Sequence, residues 1–411
     1  MLRVLAAAIE AVDAGQLVTK HVEGIRLPAG KIYALALGKA ALPMAEAVAA
    51  ALPVQKALVI TKHARPPSWP NLEVLEAGHP IPDRRSLAAG RAALRFVASL
   101  TDADLLICLI SGGGSALAVS PVPGVSLRAL QSLTVRLMAG GASIEEINAV
   151  RRQLDLVKDG GLALATRARV LSLILSDVAG GTAQDVASGP TVLSETSGAR
   201  AAATLQKYGI QVPNALAHRR RTSESNVRSS ASARIQNTVI GSTQTAIAGG
   251  LAQAVREGYA AEALNIELNG EASDVGRRAA RVLHGAGQQA SGRFCLIAGG
   301  ETTVTLSGPG TGGRNQELAL AAVRPLSGSH DVMLIALATD GEEAATDAAG
   351  AVVTGASLAR AEALRMRPEP FLAANDSYSF FSALGDLLKP GPTFTNVADL
   401  LFLIGHPGEG I

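Results

Sequence analysis

The chain has 411 residues, 48% of them hydrophobic and 18% charged, with a formal net charge of +2. That length exceeds one ordinary hydrophobic core and predicts two domains, while so small a charge gives no global attraction to nucleic acid or a membrane surface. Only 3% of residues are aromatic and 43 are glycine, so small aliphatic side chains and close helix-on-sheet packing are expected.

The opening MLRVLAAAIEAVDAG is short, apolar on one side and carries acids. It fits an amphipathic helix better than a signal peptide. No stretch is long and apolar enough to span a bilayer, and a cytoplasmic location is expected. Continuous apolar runs then predict strands near 32–37, 57–61, 104–110 and 170–175. Ser143 and Glu146 form a capping-box pattern that opens a helix through about Val157. That helix and its end carry Asn148, Arg151, Arg152 and Lys158. Between Leu216 and Arg234 the pattern dissolves into Arg, Ser and Asn, including the basic run Arg219, Arg220 and Arg221. This is the best linker candidate, and it divides the chain into domains at 1–235 and 236–411.

From Asn237 the alternation resumes with a strand, a helix from about Thr243, a strand near 261–266 and a helix through Leu283. Strands at 293–298 and 302–306, a helix opening at Arg314 and a strand at 332–338 follow. A helix near 356–366 and a last helix from about Asp376 complete the domain. Apolar runs alternating with helical segments predict an α/β architecture with largely parallel sheets. Cys108 and Cys295 lie inside apolar runs and read as small buried hydrophobes of a reducing compartment. The seven histidines lack metal-ligand spacing.

The runs share a grammar: each breaks into glycine and a polar or charged residue. IYALALGK ends at Lys39, LLICLISGGGSA covers Ser111 to Ser115, and LSLILSDVAGG holds Asp177. FCLIAGGETT holds Glu301 and VMLIALATDGEE holds Asp340. Open α/β sheets bind ligands outside the carboxyl ends of such strands, so an enzyme acting on an anionic small molecule is expected. Ser111, Gly112, Gly113, Gly114 and Ser115 would offer backbone N–H groups to a phosphate or carboxylate. Lys39, after Gly38, is placed to neutralise a phosphoryl group, although no glycine stands where a Walker A site needs one. In SGPGTGGRNQE, Arg314 and Asn315 follow flexible glycines, and arginine is the usual planar partner of phosphate and carboxylate. Gly308, Gly310 and Gly313 match the dinucleotide fingerprint literally, but no acid ends the next strand at the required distance. Asp177, Glu301, Asp340 and Asp347 are hard oxygen ligands suited to Mg2+, each also readable as a turn or cap residue. Asn375 and Asp376 have the look of a helix N-cap.

The stretches ALGKAA, SGGGSAL, INAVRRQL, LSDV with ASGPTV, GGETTVT, GGRNQELAL, ATDG with TDAAGAVV, NDSYSFF and GPTFTNVADL together resemble the glycerate kinases of the glycerate 2-kinase type. Members of that family have often been labelled hydroxypyruvate reductases. The resemblance runs from about residue 36 to residue 400. It implies a Rossmann-like N-terminal domain with a largely parallel sheet, a smaller α/β C-terminal domain and an active site in the cleft between them. It further implies ATP-dependent, Mg2+-assisted phosphorylation of D-glycerate, at the 2-hydroxyl rather than the 3-hydroxyl. Lys39, Arg314 and Asp177 are then the expected catalytic residues and Asp340 the expected metal ligand. Ser111 to Ser115, Glu301, Asn315 and Asn375 are the expected phosphate- or substrate-binding residues. The partners are small molecules, with no nucleic acid or membrane; monomer and homodimer both stay open.

Two departures stand against that resemblance. Where the family is expected to read SDVPGDDPSVIASGPT, this chain has SDVAGGTAQDVASGPT, so Gly181 and Thr182 replace two acids and Asp185 lies further along. Where DGIDGPTDAAG is expected, Glu343 stands at an aspartate and Ala344 at a glycine. Two rivals follow: an NAD(P)H-dependent hydroxypyruvate reductase, and a non-catalytic binder of a small organic acid.

Overall fold

The computed structural model describes the chain apart from residues 26–28, 67–68, 143, 179, 181, 194–197, 212–230, 267, 345 and 408–411. Ser143 of the expected capping box, the Arg219–Arg221 run, most of the expected linker and Gly181 lie outside the described residues. The rest divides into two compact units. One comprises 14–176 and 180–240, the other 1–13, 177–179 and 241–411. The first thirteen residues thus group with the C-terminal unit, where a division at 235/236 puts them in the other.

The 14–240 unit is built on six strands: β1 Ile32–Leu37, β2 Val54–Thr61, β3 Leu72–Glu76, β4 Leu105–Ile110, β5 Arg169–Leu175 and β6 Ile235–Gly241. Their order is β3-β2-β1-β4-β5-β6, that of the dinucleotide-binding sheets, and the pairings from β3 through β5 are parallel. Every residue of β4 (LLICLI) is buried, as a strand covered on both faces requires. Fully burying each such side chain stabilises the fold by roughly 1.5–3 kcal/mol. The covering helix Arg84–Ala98 starts from a capping box in which Asp83 accepts the Ser86 N–H at 3.0 Å. Arg234 closes the unit by donating to the carbonyls of Ala168 (3.0 Å) and Ala163 (2.9 Å).

The second unit also holds a six-stranded sheet: β7 Ala260–Ala263, β8 Phe294–Gly300, β9 Val332–Ala338, β10 Gly350–Thr354, β11 Leu387–Leu388 and β12 Asp399–Gly405. The order is β11-β10-β9-β12-β8-β7. Here the expectation of parallel sheets fails. Only β7 and β8 pair in parallel; β12 runs antiparallel to both β8 and β9, and β10 antiparallel to β9 and β11. The helix Leu2–Glu10 packs on the helix Thr243–Arg256, where glycine at 249 lets Ala7 and Ala11 approach.

The expected strand at 302–306 is absent. Thr303 makes one bridge to Glu271, and the Glu271 carboxylate takes the N–H and hydroxyl of Thr305 at 3.1 and 3.0 Å, so side-chain bonds replace a ladder. Strands β3, β10 and β12, and the two-residue β11, had no counterpart in the sequence reading. No described helix is long and apolar enough to cross a membrane.

Candidate functional site

In the 14–240 sheet the strand order reverses between β1 and β4, and the chain leaves these neighbours as Gly38-Lys39 and Ser111–Ser115. The two turns are tied together. The Ser111 N–H donates to the Leu37 carbonyl at 2.9 Å, the Lys39 N–H to the Gly112 carbonyl at 2.9 Å, and the Ala40 N–H to Ser111 Oγ at 3.0 Å. Gly38 has φ +129°, and a Cβ there would stand 2.2 Å from Ser111 Oγ. Only glycine permits that approach. Ser111 is fully buried, and its hydroxyl holds the lysine turn. Gly113 takes the left-handed conformation at φ +82° and precedes the short helix Gly114–Leu117. The first N–H groups of a helix have no intrahelical acceptor; here these are the groups of Gly114 and Ser115. The Ser115 and Ser188 hydroxyls meet at 2.9 Å.

His79, three residues past the end of β3, completes this cluster. A Cβ on Gly113 would lie 3.1 Å from the His79 ring and 3.3 Å from Lys39 Cγ. Its position after a glycine at a strand end is the signal that could have found it. Nearby, Ala187, Ser188 and Gly189 are three consecutive left-handed residues (φ 52°, 63° and 65°). Their carbonyls at 188 and 189 accept the N–H groups of Asp159 (3.1 Å) and Gly160 (2.7 Å). Asp185 does not replace the acids absent at 181 and 182 as an open ligand. It accepts the Thr182 N–H and hydroxyl, each at 3.0 Å, and pairs with Arg152 at 3.0 Å. Burial opposes its charge, but these partners hold its carboxyl below the ordinary value.

Two positive residues of the 148–158 segment are paired with acids, Arg152 with Asp185 and Lys158 with Asp155. Lys158 is fully buried against Asp155 at 2.5 Å, and Asp155 also accepts the N–H groups of Ser120 (3.0 Å) and Val157 (2.9 Å). Burial lowers the lysine pKa despite this partner.

The second cluster stands at one edge of the 241–411 sheet. Because β12 is antiparallel to β8 and β9, its first residue, Asp399, lies opposite Gly300 and Ala338, the carboxyl ends of those strands. Glu301 follows the first of those ends directly and Asp340 lies two residues past the second. Arg314, the first residue of the helix Arg314–Val323, grips Asp399 through Nε and Nη2, at 2.5 and 2.9 Å, and donates from Nη1 to Glu301. Burial would lower the Arg314 pKa, yet Asp399 and Glu301 raise it, so the charge is locked in. Burial raises the Asp399 carboxyl against the pull of Arg314. Asp399 is the residue the sequence reading passed over; an acid immediately ahead of the uninterrupted run LLFLIG was its signal.

Glu343, one of the departures, caps that same helix, accepting the N–H groups of Asn315 and, at 3.1 Å, Gln316. Burial and the Asp399 charge push its pKa to about 8 against those donors and Arg314. Asn315 is 2% exposed and does not present its side chain as a surface ligand. Asn375 is also buried, its amide engaged with the segment before Arg314. Asp177 is half-buried and accepts from Asn396 at 3.3 Å. Asp340 is half-buried and accepts the Glu342 N–H at 3.4 Å. The glycines of the apparent dinucleotide fingerprint follow no strand, and Ala374 and Asp376 cover Gly308 and Gly310. That signature therefore lacks its structural context.

Residues 1–220 match the family described as Domain of unknown function (DUF4147), and residues 294–399 match the MOFRL family. The D-glycerate 2-kinase of Thermotoga maritima is 36% identical over 97% of this chain and 96% of its own length. A crystal structure of glycerate kinase from the same organism superposes with a TM-score of 0.87 at 36% identity, covering 98% of each chain. The glycerate 2-kinase of Pyrococcus horikoshii is 36% identical over 91% of this chain and 87% of its own. The glycerate kinase of Bos taurus is 38% identical over 80% and 72% respectively. At 36–38% identity to these enzymes over most of its length, the chain belongs to the glycerate kinase family of the 2-kinase type.

Proposed function

We propose that the protein transfers the γ-phosphoryl group of ATP to the 2-hydroxyl of D-glycerate. The observation that carries this reading is the extent of the similarity to glycerate kinases, over 97% of the chain in the Thermotoga maritima relative. Lys39 and Arg314 both stand at strand-end edges, as positively charged groups handling an anionic substrate should. In the reaction the hydroxyl oxygen forms a bond to the γ-phosphorus, the bond from that phosphorus to the β,γ-bridging oxygen breaks, and the hydroxyl proton leaves. Catalysis of this kind is mostly positioning and charge neutralisation. Lys39 would neutralise the phosphoryl group, and Arg314, oriented by Asp399, would hold the carboxylate of the three-carbon acid. The N–H groups of Gly114 and Ser115 would hold phosphate or carboxylate oxygens. Asp177 is the acceptor proposed for the proton.

Among the described residues no three acids or histidines gather into a metal cage. A Mg2+ ion would therefore rest chiefly on the nucleotide phosphates, with Asp340 as its protein ligand, a sparse arrangement usual for this ion. When bound it would offset phosphate charge.

The test is ADP release measured beside NADH and NADPH oxidation. The kinase predicts ADP that depends on D-glycerate, and no nicotinamide oxidation with hydroxypyruvate. Nicotinamide oxidation without ADP release would replace it with the reductase, and glycerate binding without turnover would leave a binder.

A further inference from the structure

We infer that Asn375 is a positioning residue, one that sets Arg314 in place by clamping the glycine-rich segment ahead of it. The inference rests on the functional reading above only for the consequence in turnover.

Asn375 is 6% exposed and has φ +54°, the left-handed region in which asparagine is enriched among non-glycine residues. Its Oδ1 accepts the N–H groups of Ser307 at 2.7 Å and Gly308 at 2.9 Å. Its Nδ2 donates to the Thr305 carbonyl at 3.3 Å and to Glu317 at 3.0 Å. The Ser307 hydroxyl also faces that oxygen at 3.3 Å; with Oδ1 and both amide hydrogens engaged, the side chain has nothing left for substrate. The donors matter as much as the acceptor: an aspartate here would face the Thr305 carbonyl and the Glu317 carboxylate with nothing to give.

The rest of the segment is stitched to the residues that flank Asn375. The Gly310 N–H donates to the Ala374 carbonyl at 2.8 Å, the Thr311 N–H to Asp376 at 3.1 Å, and the Tyr378 N–H to the Thr311 carbonyl at 2.9 Å. A Cβ at Gly308 or Gly310 would come within 2.5 Å of Ala374, and one at Gly312 within 2.1 Å of Ser377 Oγ. Gly308 and Gly310 thus serve close contact between two stretches of backbone, and Gly312 contact with the Ser377 side chain. The segment runs through Gly313 straight into Arg314, and Glu317 lies one turn along the same helix. Asn375 is therefore bonded both to the approach to Arg314 and to the helix that carries it. The two-nitrogen grip on Asp399 tolerates little displacement, and misplacing a catalytic group by about 1 Å can cost about 10²-fold in rate.

The experiment is a double-mutant cycle with ATP and D-glycerate on Asn375→Ala, Arg314→Ala and the double variant. Asn375→Ala should lower kcat/KM by about tenfold or more in the wild-type background and leave Arg314→Ala essentially unchanged. Equal losses in both backgrounds would mean that Asn375 acts independently of Arg314, and no loss in the wild type would mean that the clamp is dispensable; either overturns the inference. Amide hydrogen exchange on Asn375→Gly, which keeps the left-handed backbone, gives a readout free of activity. Exchange should quicken across 305–317 and not elsewhere; unchanged exchange there would overturn the clamp. A wild-type protein inactive on glycerate would instead sink the functional reading, with the exchange result still deciding the clamp.

Discussion

Ala344 carries a cost that its sequence position already hinted at. It stands where the family is expected to have glycine, is exposed, and has φ +51°. A left-handed alanine costs roughly 1–2 kcal/mol, partly offset by the greater freedom of glycine in the unfolded chain. Ala344→Gly should therefore stabilise the protein by about 0.5–1 kcal/mol. Urea unfolding checks this: the midpoint should rise with its slope unchanged, and a fall would show that the alanine methyl has a packing role. Lys39 and Arg314 were legible as single residues because each is a cation beside glycine at the edge of an apolar run or helix. Asn375 was legible as a polar residue at a helix start but not in its pairing, and Asp399 was not legible at all. Their partners lie 58 and 85 residues away, and nothing local reports a pairing at that distance.

At the scale of the element, the helix Arg314–Val323 shows how the second departure is absorbed. Glu343 reaches its first N–H groups and stands beside Arg314 and Asp399, as a helix start favours a carboxylate. Its pKa is raised from 4.5 to about 8, chiefly by burial. A carboxyl raised on folding favours the folded state while protonated. Its contribution is complete below the unfolded pKa and fades as pH climbs through 8. Glu343→Gln should flatten the loss of stability between pH 5 and pH 9, measured by urea unfolding at each pH. An unaltered slope would mean that Glu343 is ionised throughout. The start of this helix was legible from its glycines and Arg314; its cap was not, because Glu343 is supplied from a separate loop. The 302–306 segment misled for a related reason: Thr and Val suit a strand, but the Glu271 carboxylate takes the bonds that a neighbouring strand would have used.

Across the whole molecule, the parallel sheet of the 14–240 unit was legible, since runs such as LLICLI suit strands covered on both faces. The direction of pairing in the other sheet was not. Every residue of β12 is buried, and a central antiparallel strand buried on both faces reads the same way. Nor could the amphipathic opening helix declare its partner. Its small residues pack on Gly249 of the C-terminal unit, a contact decided by shape and not by pattern. What the linear sequence carried best was the strand-end grammar, which placed Lys39, Glu301 and their neighbours at the edges of two sheets, while Arg314 was read from the glycine-rich stretch ahead of its helix. The most direct measurement is phosphorus NMR of the product formed from ATP and D-glycerate by the wild type, Lys39→Ala and Arg314→Ala. A glycerate kinase built as described forms 2-phosphoglycerate, with each variant slower by about 10²-fold or more. Formation of 3-phosphoglycerate would contradict the regiochemistry, undiminished rates in the variants would contradict the site, and no phosphoglycerate from the wild type would contradict the activity itself.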